Sequence, residues 1–357
     1  MNIEKLLFQS QNKFLDNHHA INHLYANKGL IPIHVKPEDT GKVIWLDVGD
    51  YLFMEEKFIS SLNKIVTECS SPQTLETNLD LLLSDALLSE VIYPTGFIFF
   101  VHRCGSTLLA KALAQSRNHI VINEATALQE GLWSYLSQNW SSSISVTPEN
   151  LNIIRNLILA MGRRRTTDQK SYFVKFHPWH SVFRDVIISA FPDVPCLFLY
   201  RDIAETLVSV SQVPAPIMSN IRGTKFASFL TGLSAEKTRE MSDVEYFAKL
   251  YSQFMLAALN SSASNMVYLN YNQLTKQNFA KILRHAFHYT ISEEQIVLMQ
   301  SQFDYYSKDN RGATRFVSDT EKKQREATSE IREAVTPKLA TLYAQLEQSD
   351  KNMVKWL

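Results

Sequence analysis

From residue 95 onward, short apolar runs alternate with amphipathic stretches. "FIFFVH" (97–102), "HIVI" (119–122), "SYFVKF" (171–176), "PCLFLY" (195–200) and "MVYLNY" (266–271) read as strands. Most are apolar throughout rather than alternating, the pattern of parallel strands covered on both faces. Between them, helical periodicity predicts helices near 105–116, 126–138, 148–163, 181–190, 203–212, 243–262 and 272–286. Thr147 before Pro148 reads as a cap and first helical position, and "SEEQ" at 292–295 as a capping box. Strand and helix in alternation imply an α/β fold of three layers, a central, mainly parallel sheet flanked by helices. Ligands of such a sheet gather beyond the C-terminal ends of its strands.

Residues 1–94 have another texture: a helix, short extended pieces around "KVIWLDVGDYLFM" with a Gly-Asp turn, then helices near 55–68 and 74–90. No motif in them carries chemistry. They are expected to form an N-terminal α+β extension to an α/β domain over 95–357. That domain would close with a polar, basic loop, "YYSKDNRGATRFVSDTEKKQREA", and a helix after Thr336 and Pro337.

Composition narrows the partners. The chain has 357 residues, 45% of them apolar and 20% charged, which is ordinary for a globular protein. Lys plus Arg equals Asp plus Glu, 36 each, so no broad basic face for nucleic acid is expected. Any bound anion must be small and locally held. Cys69, Cys104 and Cys196 are far apart without CxxC spacing, which suggests neither a disulfide framework nor a thiolate zinc site and fits a reducing compartment. The N-terminus does not read as a signal peptide, and no run approaches the roughly 18 uncharged apolar residues of a membrane span. A cytoplasmic protein is the expectation.

One stretch concentrates chemistry. In "FIFFVHRCGSTLLAKAL" (97–113) a buried strand gives way to a helix whose first N–H groups lack intrahelical partners and carry the positive end of the dipole. Gly105 permits close backbone approach, Ser106 and Thr107 add hydroxyls, and Arg103 adds a guanidinium that can grip two oxygens. These features describe a phosphate cradle. The nucleoside-triphosphate form GxxxxGK[ST] is absent. "CLFLYRDIAETLVSVSQ" repeats the logic, with Arg201 at a strand's end and Ser209 eight residues on, a little over two helical turns. One ligand with two separated phosphate groups would fill both sites.

"HRCGSTLL", "RDIAETLVS" and the later "VYLNYNQL" resemble motifs of the sulfotransferases that use 3′-phosphoadenosine-5′-phosphosulfate, over roughly residues 95–290. The resemblance implies a P-loop-like α/β fold. It also implies that Arg103, Cys104, Gly105, Ser106, Thr107 and Leu108 hold the 5′-phosphosulfate, while Arg201 and Ser209 hold the 3′-phosphate. Cys104 stands where the family usually has Ser, leaving its backbone N–H as the donor. Leu108 replaces the Trp of the cytosolic enzymes, which brings the chain closer to the protein-tyrosine and carbohydrate branches.

Sulfuryl transfer, like phosphoryl transfer, asks the protein for positioning, charge stabilisation and removal of the acceptor's proton. Lys175, in "YFVKFHPWH", matches the family's Lys at the bridging oxygen. Two bases compete: His177, in a K-x-H spacing similar to that of the cytosolic enzymes, and Glu124, in "VINEATAL", where the protein-tyrosine enzymes carry a catalytic Glu. Arg103 would also stabilise the transferring group. Family members often place an R-K-G triplet on the 3′-phosphate, and "NRGATR" offers Arg311 and Gly312 without the Lys. Arg311, Arg315, Lys322 and Lys323 otherwise read as a solvated loop. His177 with His180, and His285 with His288, lack a third ligand at a recognisable spacing, so no metal is expected.

The expected activity is therefore sulfuryl transfer from 3′-phosphoadenosine-5′-phosphosulfate to a hydroxyl or amine of a small molecule, carbohydrate or peptide. Two rivals stand beside it: a nucleoside-triphosphate kinase, and a non-catalytic nucleotide-binding or scaffold protein of the same fold.

Overall fold

The computed structural model describes Ile3, Leu7 and residues 13–37, 41–69, 71–213, 220–261, 264–306, 314, 315, 317 and 319–357. Among them the chain forms two sheets. The first contains β1 (Lys13–Phe14), β2 (Leu30–Lys36), β3 (Lys42–Asp47) and β4 (Thr74–Asn78), in the order β1-β4-β3-β2. The second contains β5 (Gly96–Phe100), β6 (His119–Asn123), β7 (Ser171–Lys175), β8 (Cys196–Tyr200) and β9 (Met266–Asn270), all parallel, in the order β6-β7-β5-β8-β9.

Every residue of β5 to β8 is buried, which is why these runs are apolar on both faces. Helices flank the sheet, giving the three-layer α/β architecture. Because β5 lies between β7 and β8, the chain leaves β5 for one side of the sheet and later crosses to the other. The loop after β5 opens where those connections diverge, the position at which open α/β sheets bind ligands.

Local signals set the helices. Asp202 accepts from the Glu205 N–H and starts Ile203–Gln212 directly after Arg201. Thr147 caps Pro148–Met161, with Pro148 in its first turn, and Thr336 does the same for Pro337–Gln348. Ser292 caps Glu293–Gln300. Asp243–Leu259 starts at a reciprocal Ser242–Glu245 box. Three expected helices begin instead as 3-10 turns, at Thr126–Leu128, Pro178–Phe183 and Tyr271–Gln273, before α-helices at Glu130–Leu136, Arg184–Ala190 and Phe279–Phe287.

Two expectations need correction, and one strand was not foreseen. Residues 74–90 are not a helix: Thr74–Asn78 is β4, paired antiparallel with β3 from Leu46↔Thr74 to Lys42↔Asn78, and 3-10 turns follow at Leu79–Leu83 and Asp85–Leu88. The leucines behind the helical reading, Leu79, Leu81 and Leu82, are buried from those short turns. Leu30–Lys36 is a strand although it contains Pro32. It is an edge strand, where a missing N–H is tolerated, and its register shifts between Pro32 and His34. The basic stretch before Thr336 contains two further helices, Thr320–Glu326 and Ser329–Ala334.

The chain divides into two compact units, one of residues 1–97, 110–176 and 186–194, the other of residues 98–109, 177–185 and 195–357. The first has Trp45, Trp133 and Phe173 in its interior, with the Trp45 indole donating to Thr77 Oγ1 at 3.0 Å. The second is built around Phe198, Tyr246, Tyr251 and Phe254. Among the described residues, no helix is long and apolar enough to cross a membrane.

Candidate active site

In the second unit, the loop after β5 alternates backbone handedness. Arg103 has φ 61° and Gly105 φ 86°, while Cys104 between them is not left-handed. Such alternation turns successive N–H groups toward one side and makes an anion-binding concavity. The first helical bond of Ser106–Ala114 runs from Leu109 N to Gly105 O, so the N–H groups of the first turn have no intrahelical partner. The hydroxyls of Ser106 and Thr107 form no hydrogen bond among the described residues. Cys104 is fully buried and its thiol donates to Val101 O at 2.9 Å, leaving only its N–H for a ligand. The Leu108 side chain is buried.

Gly105 is required for a reason beyond ligand approach. A Cβ there would lie 2.8 Å from Tyr271 Cδ2 and 3.2 Å from Leu274 Cδ2, and its φ is one that side chains resist. Tyr271 and Leu274 belong to "YNQL", so the late motif packs directly on the cradle. Tyr271 also lies under Arg201, whose guanidinium carbon is 4.1 Å from the ring centroid.

The two elements expected to bind anions touch. Arg103 Nε donates to Ser209 Oγ at 2.6 Å, and Arg201 Nη1 donates to Arg103 O at 3.4 Å. Arg201 and Ser209 are both buried. Arg201 is also clasped by carboxylates: Glu205 Oε2 lies 2.7 Å from Nη2, and Asp319 Oδ1 lies 2.8 Å from the same nitrogen. Lys323 Nζ sits 2.6 Å from the other Asp319 oxygen, and Gln324 donates to Glu205 Oε1 at 3.1 Å. Burial acts to raise the Asp319 carboxyl, but bonds from Arg201 and Lys323 outweigh it and hold it below the usual value. Desolvation pulls Arg201 down, and bonds to Asp319 and Glu205 carry it above its ordinary range. With Arg103, Arg201 and Lys323 against Glu205 and Asp319, the cluster keeps one net positive charge.

The first unit contains a second cluster. Glu124 follows β6 and Lys175 ends β7, strands paired in register at Asn123↔Lys175. Lys175 Nζ lies 2.6 Å from Glu124 Oε1, with the Lys side chain fully buried and the Glu 16% exposed. Glu124 N donates to Lys175 O at 2.7 Å, and Gln129 Nε2 donates to Glu124 O at 3.3 Å. Glu124 itself is left-handed, with φ 56°, a conformation that costs a β-carbon-bearing residue about 1–2 kcal/mol. The neighbouring chain thus holds this carboxylate in place against backbone preference.

His177, in the second unit, is buried among rings: His102 at 5.8 Å and Trp179 at 5.6 Å between centroids. Its backbone N–H donates to His180 Nδ1 at 2.9 Å, and the same Nδ1 lies 3.2 Å from His177 O. His180 stacks on Trp179 at 3.9 Å. The structure therefore ties Glu124 to Lys175 and puts His177 beside the residue preceding Arg103. Among the described residues, no group of three or more His, Cys, Asp or Glu is placed to hold a metal ion.

Arg311 and Gly312 lie outside the described residues. Arg315 and Lys322 are exposed, as a solvated loop would have them. Lys323 is not: it is 7% exposed and paired with Asp319, because the helix Thr320–Glu326 docks on Ile203–Gln212, where Gln324 reaches Glu205. Four residues of the cluster, Glu205, Tyr271, Asp319 and Lys323, have no site role in the sequence motifs. Glu205 was legible four residues after Arg201 as an i,i+4 pair, and Lys323 likewise after Asp319. Tyr271 lies inside a quoted motif. Only the meeting of Asp319 with Arg201, 118 positions apart, has no local signal.

No protein-family model matches the chain, and no curated protein matches it either.

Proposed function

We propose that this protein transfers a sulfuryl group from 3′-phosphoadenosine-5′-phosphosulfate to an acceptor hydroxyl or amine. The observation that carries the reading is the 2.6 Å bond from Arg103 to Ser209, with Arg201 on the Arg103 carbonyl: two anion-binding elements in contact suit one ligand with two anionic groups. The loop over 103–107 receives the 5′ end and Arg201 the 3′-phosphate. By the resemblance, Lys175 would be the lysine of the leaving phosphate oxygen, and Glu124 or His177 the base for the acceptor's proton. Glu124 is the better supported of the two bases, since its carboxylate is fixed by a lysine and its backbone is strained into place. The three cysteines are free thiols, two of them buried, which accords with a reducing, cytoplasmic setting.

Calorimetric titration with 3′-phosphoadenosine 5′-phosphate, set against ATP and ADP, tests the reading without needing the acceptor. Binding at least tenfold tighter than either adenine nucleotide is expected. Tighter binding of ATP, with magnesium-dependent turnover, would replace sulfuryl transfer with a kinase. A second reading, a nucleotide-binding protein without turnover, is favoured by one feature: Glu205 and Asp319 already neutralise Arg201. It predicts nucleotide affinity with no release of 3′-phosphoadenosine 5′-phosphate from the donor under any acceptor.

A further inference from the structure

The first unit has a cavity of about 490 Å³, open to solvent and within the size range of small-molecule sites. Its walls are mostly apolar, with Val35, Pro37, Ile59 and Trp140 among them. They are fixed by the fold. Gly131 brings the helix Glu130–Leu136 against β2 so closely that a Cβ would sit 1.9 Å from Val35 O. Gln138, Asn139 and Trp140 are consecutively left-handed, a strained turn that sets the Trp140 side of the wall.

The cavity's polar groups are mostly committed. The Thr126 hydroxyl donates to Ile33 O, Asn63 Oδ1 accepts from Ile3 N at 3.4 Å, and Gln129 donates to Glu124 O. Burial, with Lys36 nearby, pushes the His34 imidazole down to about 4, so it is neutral at pH 7. Glu130 is different. It lines the cavity and is an exposed residue, desolvation raises its carboxyl, and it has no ion-pair or hydrogen-bond partner among the described residues. No Lys or Arg is among the described residues of the lining. An apolar chamber with one uncompensated carboxylate is complementary to an apolar body bearing one positive charge.

We propose that this cavity is a binding site for an organic amine, a monocation whose apolar part fills the space beside Ile59 and Trp140 and whose ammonium pairs with Glu130. The site stands apart from the nucleotide reading and does not depend on it. The test uses three eight-carbon probes of one shape and different head charge, octylamine, octanol and octanoate, titrated calorimetrically into the full-length protein. Octylamine is expected to bind about tenfold tighter than octanol, and octanoate weakest. Glu130→Gln, at an exposed position, should reduce octylamine to the level of octanol, with an unchanged circular dichroism spectrum. Ile59→Trp should weaken all three at least tenfold by filling the chamber. Equal binding of octylamine and octanol to the wild type, no binding of any probe, or an amine preference that survives Glu130→Gln would each overturn the proposal. The Glu130 comparison decides the matter even if the tryptophan variant does not fold. Loss of this site would leave the nucleotide titration untouched, so the two readings fail separately.

Discussion

Asp319→Asn should strengthen binding of 3′-phosphoadenosine 5′-phosphate. Its carboxylate lies 2.8 Å from Arg201 Nη2, on the guanidinium the 3′-phosphate would need, so nucleotide and Asp319 compete for one donor. Two unit charges about 4 Å apart interact by about 4 kcal/mol at an effective dielectric of about 20. The Asp319 side chain is a third exposed, which reduces the usable part to about 1–2 kcal/mol. Removing the charge while keeping the side chain's shape is then expected to tighten binding about 5- to 30-fold. Lys323 acts in the same direction, because its 2.6 Å pair with Asp319 is also dissolved and a buried cation is left seeking an anion. The assay is calorimetric titration of wild type and variant at low and moderate salt, with Asp350→Asn as control. Asp350 is a surface carboxylate paired with Lys355, so it carries the same change in net charge away from Arg201. The control should not move. An Asp319→Asn protein that folds yet binds no tighter would show that Arg201 is not the seat of a phosphate.

Lys175→Ala should lower release of 3′-phosphoadenosine 5′-phosphate from the donor by about 10²–10³, with donor affinity within about fivefold; unchanged turnover would remove Lys175 from the chemistry. The same substitution leaves Glu124 without its buried partner and should cost about 3 kcal/mol in urea unfolding. Gly105→Ala should cost about 1–3 kcal/mol, through its positive φ and the 2.8 Å approach to Tyr271, and part of that cost should disappear in a Tyr271→Ala background. An additive pair would mean that Tyr271 is not what Gly105 accommodates. Burial pushes His119 down to about 4, against the opposing bond to Leu113 O, so the unfolded chain takes up its proton first as pH falls. Stability is complete above about pH 6.5 and is lost toward pH 4, by about 2 kcal/mol at pH 5. Urea unfolding at pH 7 and 5 should give a smaller difference for His119→Asn.

The strands of the parallel sheet were legible because burial on both faces leaves an uninterrupted apolar run, and each observed strand lies within a residue or two of its run. Ile203–Gln212 was legible to the residue because Asp202 caps it and its apolar face is regular. In the first 94 residues those signals fail. Pro32 argues against a strand unless the strand is known to be at an edge, and edge position is decided by pairing with β3, not by the local sequence. Leu75, Leu79 and Leu82 sit at helical spacing, yet the first is in a strand and the others in 3-10 turns. The candidate site divides the same way. A Gly-Ser-Thr after a strand and an Arg-Asp after another reveal their elements locally. That Arg103 touches Ser209, or that Lys175 pairs with Glu124, depends on which strands are neighbours.

The position of Arg201 links anion binding to the docking of a helix far along the chain. Its guanidinium is shared between Glu205, on the helix that follows it, and Asp319, at the start of Thr320–Glu326. Glu205 is 2% exposed in its side chain and cannot leave without stranding a buried charge, so it is the permanent counterion. Asp319 is the exchangeable one, being more exposed and joined to the helix that contributes Lys323. An anion that takes the Asp319 position inherits Arg201 and frees Lys323, so the cluster gains a donor when the ligand enters. By reciprocity, whatever holds Thr320–Glu326 against Ile203–Gln212 must weaken the anion's affinity by the same factor by which the anion weakens that docking. A carboxylate on the principal arginine is therefore compatible with a phosphate site, provided the carboxylate belongs to an element that can yield.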